Sequence, residues 1–321
     1  MTRETIVVFG GSGFIGGHLL RRMANQGATN LISVDLREPG VCVDGVTYLT
    51  ADVRDLSKLK IDGQVKKIYN FAAVHTTPGH EPWEYYETNV RGALQVTRFA
   101  QRHGCTSIVF TSSISVYGPN ETSKDESTIP TPNSDYGRSK LIAETLHEDW
   151  VAQSDAHRLV IVRPAVVFGA GEGGNFTRLA RMLEKGVFVY PGRKDTIKSC
   201  IYVKDLLEWI GQAEKMKERC ILFNGSYSNR YTIEEIVETF RAVAFPKART
   251  FLVPGGALRA IAAVLRPLSA TGIGIHPDRI TKLMVSTNIL PSWAEAQDFD
   301  TRDRLEFVLQ DWKNDTLAEF T

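Results

Sequence analysis

The run Thr5-Ile6-Val7-Val8-Phe9-Gly10-Gly11-Ser12-Gly13-Phe14-Ile15-Gly16 decides the fold. Thr5 to Phe9 is a short β-branched and apolar stretch, the composition of a strand buried on both faces. Gly10-x-x-Gly13-x-x-Gly16 follows, and an amphipathic helix is expected from His18 to Gln26. Glycines in that spacing, between a strand and a helix, allow a tight turn and let the backbone approach a pyrophosphate at the helix N-terminus. Phe14 and Ile15 lie inside the loop and belong to the same candidate site. The next strand, Leu31 to Asp35, ends on a carboxylate 19 residues after Gly16. An acid there accepts hydrogen bonds from a ribose diol and repels a 2′-phosphate, which favours NAD over NADP. Arg37, two residues on, pulls the other way, because an arginine can hold that phosphate.

Further strands are expected at Thr47 to Ala51, Ile68 to Ala73, Ser107 to Thr111 and Leu159 to Arg163. Helical patterns lie between them, as at Tyr85 to Arg102. Strands alternating with helices predict an α/β fold with a doubly wound parallel sheet. Residues 1–165 are read as the dinucleotide-binding domain. Residues 166–321, where the pattern becomes irregular and glycine-rich, are read as a smaller substrate-binding lobe, with short segments able to return to the first domain. Asp52 and Val53, after the third strand, are placed to reach the adenine amino group. The small residues Ala72 and Ala73, in Asn70-Phe71-Ala72-Ala73, leave room for the dinucleotide. Asn89 sits in a helical pattern from which it can bond backbone near the site.

The bulk numbers exclude several classes. Of 321 residues, 43% are hydrophobic and 23% charged, and the net charge of +1 offers no basic field for nucleic acid. Cys42, Cys105, Cys200 and Cys220 form no CxxC pattern. They are expected to be reduced and mostly buried, as in a cytoplasmic protein. No His/Cys cluster suggests a metal. The chain enters its first strand with no signal-peptide pattern. The apolar stretch from Ala257 to Ile275 contains Arg259, Arg266 and Pro267, which makes a poor membrane span and leaves a packing or interfacial helix.

Tyr136 and Lys140 are spaced to share one helical face. An ammonium beside a phenol favours phenolate, so the tyrosine can act as acid or base near neutral pH. The hydroxyls of Ser112 and Ser113 follow the strand Ser107 to Thr111, where ligand-facing loops emerge. A phenol, an ammonium and a hydroxyl beside a dinucleotide point to redox chemistry at a carbinol or ketone carbon.

These motifs, in this order, resemble the extended short-chain dehydrogenase/reductases of the NAD-dependent epimerase/dehydratase family, whose fold is a Rossmann domain with a substrate lobe. The resemblance also rests on Ala51-Asp52-Val53-Arg54-Asp55, Thr88-Asn89-Val90, Ser112-Ser113-Ile114-Ser115-Val116-Tyr117-Gly118, Arg163-Pro164 and Ile201-Tyr202-Val203-Lys204-Asp205. It covers about residues 5 to 245. It implies that Ser113 hydrogen-bonds the reacting oxygen, with Ser112 taking that place if the register slips by one. Tyr136 is then the proton acceptor and Lys140 its partner. Pro164 to Val167, including Val166, pass the nicotinamide amide.

The resemblance also narrows the reaction. Family members that dehydrate sugars carry an Asp-Glu pair where this chain has Ile114 and Ser115, decarboxylases carry a Glu at the second position, and 3,5-epimerising members use a cysteine there. What remains is oxidation at a carbinol, either with hydride return in a 4-epimerisation or as net keto-sugar reduction or dehydrogenation. In the substrate lobe, Asn175 matches an asparagine that contacts a sugar diphosphate. Arg193, Lys194 and Lys198 form a cationic cluster suited to the same group, and Arg279 is a further phosphate contact. Lys198 stands where relatives more often have arginine, so a bidentate grip is lost. The implied partners are a nucleotide-diphosphate sugar and a second copy of the chain, as a homodimer.

Two features depart from the family's epimerases: the loop from Val74 to His80, and the region beyond residue 250, which has the flavour of hydroxysteroid dehydrogenases. They keep open a second reading, an enzyme acting on a hydrophobic secondary alcohol. A third, a catalytically dead dinucleotide sensor, is disfavoured by the presence of both Tyr136 and Lys140. His75 and His80 read as surface histidines near the mouth of the site.

Overall fold

The computed structural model describes residues 4–76, 79–256, 284–317 and 319–321. Arg279 and the stretch from Ala257 to Ile275 lie outside the described residues. The central sheet uses β1 (Thr5–Phe9), β2 (Leu31–Asp35), β3 (Val46–Thr50), β4 (Val65–Asn70) and β5 (Ser107–Thr111). After β6 (Asn120–Lys124), β7 (Arg158–Pro164) rejoins it. β8 (Val166–Phe168), β9 (Val187–Gly192) and β10 (Cys200–Tyr202) leave it, and β11 (Cys220–Gly225) closes it. Two strands outside the sheet, β12 (Arg249–Pro254) and β13 (Thr287–Ile289), complete the set among the described residues.

The seven central strands lie in the order β11-β7-β5-β4-β1-β2-β3, all parallel. This is the doubly wound α/β fold expected. The order reverses beside β1, between β2 on one side and β4 on the other, and ligands bind at the carboxyl ends of strands at such a switch point. Phe9 and Asn70, which end their strands, lie in register there with Val34 and Phe110, each one residue before the end of its own.

Several boundaries differ from the sequence-based expectation. The first helix, α1, spans Phe14–Asn25 and begins four residues before His18. The glycine loop therefore hands the chain to the helix directly. The pattern from Tyr85 to Arg102 divides into a short α2 (Pro82–Tyr85), a π-turn (Tyr86–Arg91) and α3 (Gly92–Arg102). The catalytic segment forms α4 (Asp135–Ala152). Next come α5 (Asn175–Glu184), α6 (Val203–Ala213) and α7 (Ile233–Val243), with helices Ser292–Ala296 and Leu305–Asp315 near the end.

The chain divides into two compact units. One contains residues 1–118, 128–164 and 203–225, and the other contains 119–127, 165–202 and 226–321. The first is built on a core that includes Val7, Phe9, Ile68, Val96, Phe99, Ile108, Phe110 and Ile161, with Phe9 and Phe99 edge to face at 5.4 Å. The second centres on aromatic rings: Phe168 stacks on Phe176 at 4.3 Å and meets Trp312 at 6.1 Å. Cys105 and Cys200 are buried, but Cys42 and Cys220 are exposed, so half the thiols depart from the burial expected of them. Among the described residues, no helix is long and apolar enough to cross a membrane.

Candidate active site

The first loop is built for close approach. A Cβ on Gly10, which has φ +79°, would lie 2.7 Å from the Ala72 amide nitrogen, and one on Gly16 would lie 2.3 Å from the Gly10 carbonyl oxygen. Both are closer than side-chain atoms come, so the β1–α1 loop and the end of β4 touch only because these positions are bare. Gly13 is the N-cap of α1. No side chain caps this helix end and no acid occupies its first turn, where Phe14 and Ile15 lie. Its first amides and the positive end of its dipole are therefore open to an anion.

Asp35 accepts hydrogen bonds from the backbone amides of Ser12 and Arg37, both at 3.1 Å, so the carboxylate that ends β2 also holds the glycine loop in place. The Asp52 carboxylate is clamped by Arg54, whose guanidinium donates at 2.6 to 3.0 Å and holds Asp52 below its ordinary pKa. Val53 packs under Gly92, where a Cβ would come within 3.0 Å of it. Bare glycines, an uncapped helix start and a carboxylate 19 residues on fit a dinucleotide with an unphosphorylated ribose.

Asn89 lies on the π-turn, 3% exposed. Its amide accepts from Val74 N (2.9 Å) and donates to Val74 O (3.0 Å) and to Ser139 Oγ (2.9 Å). It thus brackets the Ala72-Ala73-Val74 loop to α4. A π-turn widens a helix and turns a side chain inward, and such turns are frequent at functional sites.

Ser113 caps a short 3₁₀ turn, Ile114–Tyr117. Its hydroxyl accepts from Ser115 N and donates to Ser115 Oγ, each at 3.1 Å, and it shares a hydrogen bond with the Tyr136 phenol. Ser112 is 2% exposed and its hydroxyl has no partner among the described residues. Ser113, rather than Ser112, therefore meets Tyr136. Helix α4 is capped by Ser134, which accepts from Gly137 N at 3.1 Å. Gly137 lies so close to the 3₁₀ turn that a Cβ would fall 2.4 Å from Ser115 O. That approach brings Tyr136 beside Ser113.

Lys140 is 1% exposed, and its ammonium sits 4.6 Å from the Phe110 ring centroid. Burial pushes it down to about 7, against the opposing pull of Glu144. The lowering of the Tyr136 pKa expected from the lysine is not found in the protein alone. Burial raises it, the Ser113 hydrogen bond works against that, and Tyr85 adds to it. Tyr136 is half-buried, and no counter-charge offsets the desolvation of its phenol.

Glu144, His147 and Asn224 escaped the sequence reading, and Tyr117 and Arg163 entered it only as motif residues without a role. Glu144 accepts both arms of Arg163, at 2.9 and 2.6 Å. Arg163 donates to Tyr117 Oη at 2.7 Å, and Tyr117 donates to Asn224 Oδ1 at 3.0 Å. His147, fully buried, stacks on Phe110 at 4.2 Å. Its Nδ1 donates to Ala143 O at 2.7 Å, which leaves Nε2 to accept from Asn70 at 3.2 Å. Burial holds this ring neutral, with its pKa down at about 4. The spacing 136, 140, 144, 147 was the available signal, since those positions continue one face of α4 inward.

In the second unit, Asn175 is exposed at the start of α5. Arg193 pairs with Asp195 at 2.6 Å and Glu121 at 3.1 Å. Lys198 donates to Val285 O at 2.6 Å, and burial brings its pKa down to about 8. Pro164 closes β7 in the first unit, while Val166 opens β8 in the second. His75 is exposed, as is His80, which lies 3.3 Å from Glu84.

Known proteins resemble this chain in sequence and in fold. Over 209 residues the chain is 31% identical to N-acetyl-alpha-D-glucosaminyl-diphospho-ditrans,octacis-undecaprenol 4-epimerase of Escherichia coli O157:H7, covering 64% of this chain and 62% of that one. It is 31% identical over 191 residues to UDP-glucose 4-epimerase 4 of Oryza sativa subsp. japonica, covering 54% and 52%. The chain thus spans about half to three-fifths of the length of these relatives. Among solved structures, the fold matches a UDP-N-acetylglucosamine 4-epimerase from Methanobrevibacter ruminantium M1 at TM-score 0.77 and 19% identity, covering 99% of this chain and 100% of that one. It also matches a UDP-glucuronic acid 4-epimerase from Bacillus cereus, solved in complex with NAD, at TM-score 0.74 and 19% identity, covering 98% and 99%. The family model for NAD dependent epimerase/dehydratase proteins matches residues 6–219. The chain belongs to that NAD dependent epimerase/dehydratase family, and NAD is the cofactor.

Proposed function

We propose that the protein is a redox-neutral 4-epimerase of a nucleotide-diphosphate sugar. One observation carries this reading: Ser113 meets Tyr136 one helical turn from the buried Lys140, while the adjacent Ile114 and Ser115 carry no carboxyl or thiol. Bound NAD supplies the acceptor and donor for a hydride. Ser113 holds the reacting C4 oxygen against the Tyr136 phenol. Tyr136 takes the proton from that oxygen and later returns it, a task whose base must lie within hydrogen-bond reach. Lys140 stabilises the phenolate while the proton is away. Elimination of water from the sugar would need an acid or base next to this trio, and neither Ile114 nor Ser115 provides one.

The relatives named above, whose own names include a UDP-sugar and a diphospho-polyprenol sugar, support a sugar diphosphate as the substrate. Asn175, Arg193, Lys198 and Arg279 are proposed as its contacts, together with Ser112. Asp35 and Asp52, with Val53, Ala73, Pro164 and Val166, are proposed to line the cofactor, and a homodimer is the proposed assembly.

The test is turnover of nucleotide sugars deuterated at C4. An epimerase returns the label to the product and accumulates no NADH, whereas steady NADH release would make the enzyme a net dehydrogenase. Tyr136→Phe is expected to lower turnover by about 10² to 10⁴-fold with NAD still bound. Undiminished activity in that variant would remove the basis of the proposal.

A further inference from the structure

We propose that Glu144 is a positioning residue: a fixed negative charge one helical turn behind Lys140, which favours the cationic form of the lysine from a distance because Arg163 denies the carboxylate any freedom to capture it. This rests on the proposed proton transfer at Tyr136, but its primary test does not.

The geometry comes first. Glu144 follows Lys140 by four residues, the spacing at which a glutamate and a lysine on one helix normally pair. Here no ion pair forms between them. Both Glu144 oxygens accept from Arg163 in a side-on fork, and the pair is buried, with side-chain exposures of 2% for Glu144 and 6% for Arg163. Arg163 is itself fixed, because its remaining arm donates to Tyr117, its guanidinium lies 4.9 Å from the Tyr117 ring centroid, and Tyr117 is anchored on Asn224. A carboxylate held in this way acts on its neighbour by field alone.

Among the groups described around Lys140, Glu144 supplies the negative charge, and the Arg163 it grips offsets part of its field. Helix α4 presents Glu144 and the neutral His147 to Lys140 and the loop after β4 presents His75, while Arg163 of β7 grips Glu144 rather than the lysine. Glu144 is the charge that opposes the burial of Lys140. The ion pair costs desolvation that an apolar pair would avoid, so its presence here is explained by what it does to the lysine.

The experiment follows Lys140 directly, by NMR titration of the NAD-free protein carrying ¹³C-labelled lysine, with the resonance assigned by its loss in Lys140→Met. Glu144→Gln alone leaves Arg163 uncompensated in the core, so it is made together with Arg163→Met. The double variant removes the carboxylate along with the cation that offsets part of its field, so it is expected to lower the Lys140 midpoint by about half a pH unit, less than a lone opposite charge at short range exerts. Arg163→Lys keeps a charge but loses the fork, which frees Glu144 toward Lys140. That variant is expected to raise the midpoint instead.

In the loaded enzyme, the double variant is expected to move the acid limb of the pH–rate profile upward, since a lysine that ionises less readily supports phenolate less. Unchanged Lys140 midpoints in both variants, alongside a fallen Tm, would make the pair merely structural and overturn the proposal. Retained turnover in Tyr136→Phe would defeat the proposed function while leaving the lysine titrations standing.

Discussion

The charged groups at the candidate sites of the two units are held in opposite ways. In the first, Glu144 and Arg163 are nearly inaccessible and every arm of the pair is engaged by protein, behind a lysine that is buried as well. In the second, Arg193 and Lys194 meet their carboxylates near the surface, with side-chain exposures of 37 to 73% across the three pairs. Buried charge cannot rearrange without large cost, whereas exposed pairs are worth about 0–1 kcal/mol and exchange partners readily. The contrast suits the division of labour proposed. A proton-transfer group must be held in one geometry, and a diphosphate contact must release its resting partner when substrate arrives.

The largest effect expected from breaking the fixed side is in Gly137→Ala. The new methyl group would meet Ser115 O at 2.4 Å, so α4 or the 3₁₀ turn must retreat. A misplacement of about 1 Å between reacting groups costs on the order of 10²-fold in rate. Turnover is therefore expected to fall about 100-fold while NAD affinity, measured by equilibrium binding, changes little. Equal loss of NAD binding would show that Gly137 supports the whole domain rather than the Ser113–Tyr136 contact.

Gly137 also shows where the sequence was legible. The strand-glycine-helix opening, Asp35 and the Tyr136–Lys140 spacing could be read because local chemistry alone requires them: bare backbone for a phosphate, an acid at a strand end, two groups on one helical face. The register of Ser113 over Ser112 needed the 3₁₀ turn. The hydrogen-bonded chain from Glu144 through Arg163 and Tyr117 to Asn224 joins residues up to 107 positions apart, and no local pattern announces such pairings. Asn89 could be singled out, but its three bonds to Val74 and Ser139 depend on a π-turn that helical periodicity does not foretell. The inverted pKa of Tyr136 has the same cause. An ammonium four residues away suggests a lowered value, but desolvation depends on packing that the sequence does not display.

A second test of the fixed side concerns pH. His147 takes up its proton at about 4 in the folded protein but near 6.5 when unfolded. Between those values the unfolded chain binds more protons, so acidification through that window favours unfolding, and this stability is fully present above pH 6.5. The group accounts for about 3 kcal/mol of loss as the pH falls to 4. In His147→Phe, which retains a ring to stack on Phe110, that part of the dependence is expected to vanish in urea melts at pH 7 and pH 4.5. An equal slope in both proteins would place the acid sensitivity elsewhere.

The smallest effects are expected on the exchangeable side. Arg193→Ala removes contacts to Asp195 and Glu121 near the surface, so Tm should change by no more than a degree or two. If Arg193 releases those carboxylates for a diphosphate, the lost charge-assisted hydrogen bond, about 1.5–3 kcal/mol, should raise KM on the order of tenfold with kcat nearly unchanged. That pattern separates the two kinds of charge: damage at Glu144 should move a pH profile, and damage at Arg193 should move only a concentration scale. An unaltered KM would return Arg193 to the role of a solvated surface residue and leave Lys198, with its amine donated to Val285 O and its pKa down at about 8, as the stronger cation for the diphosphate.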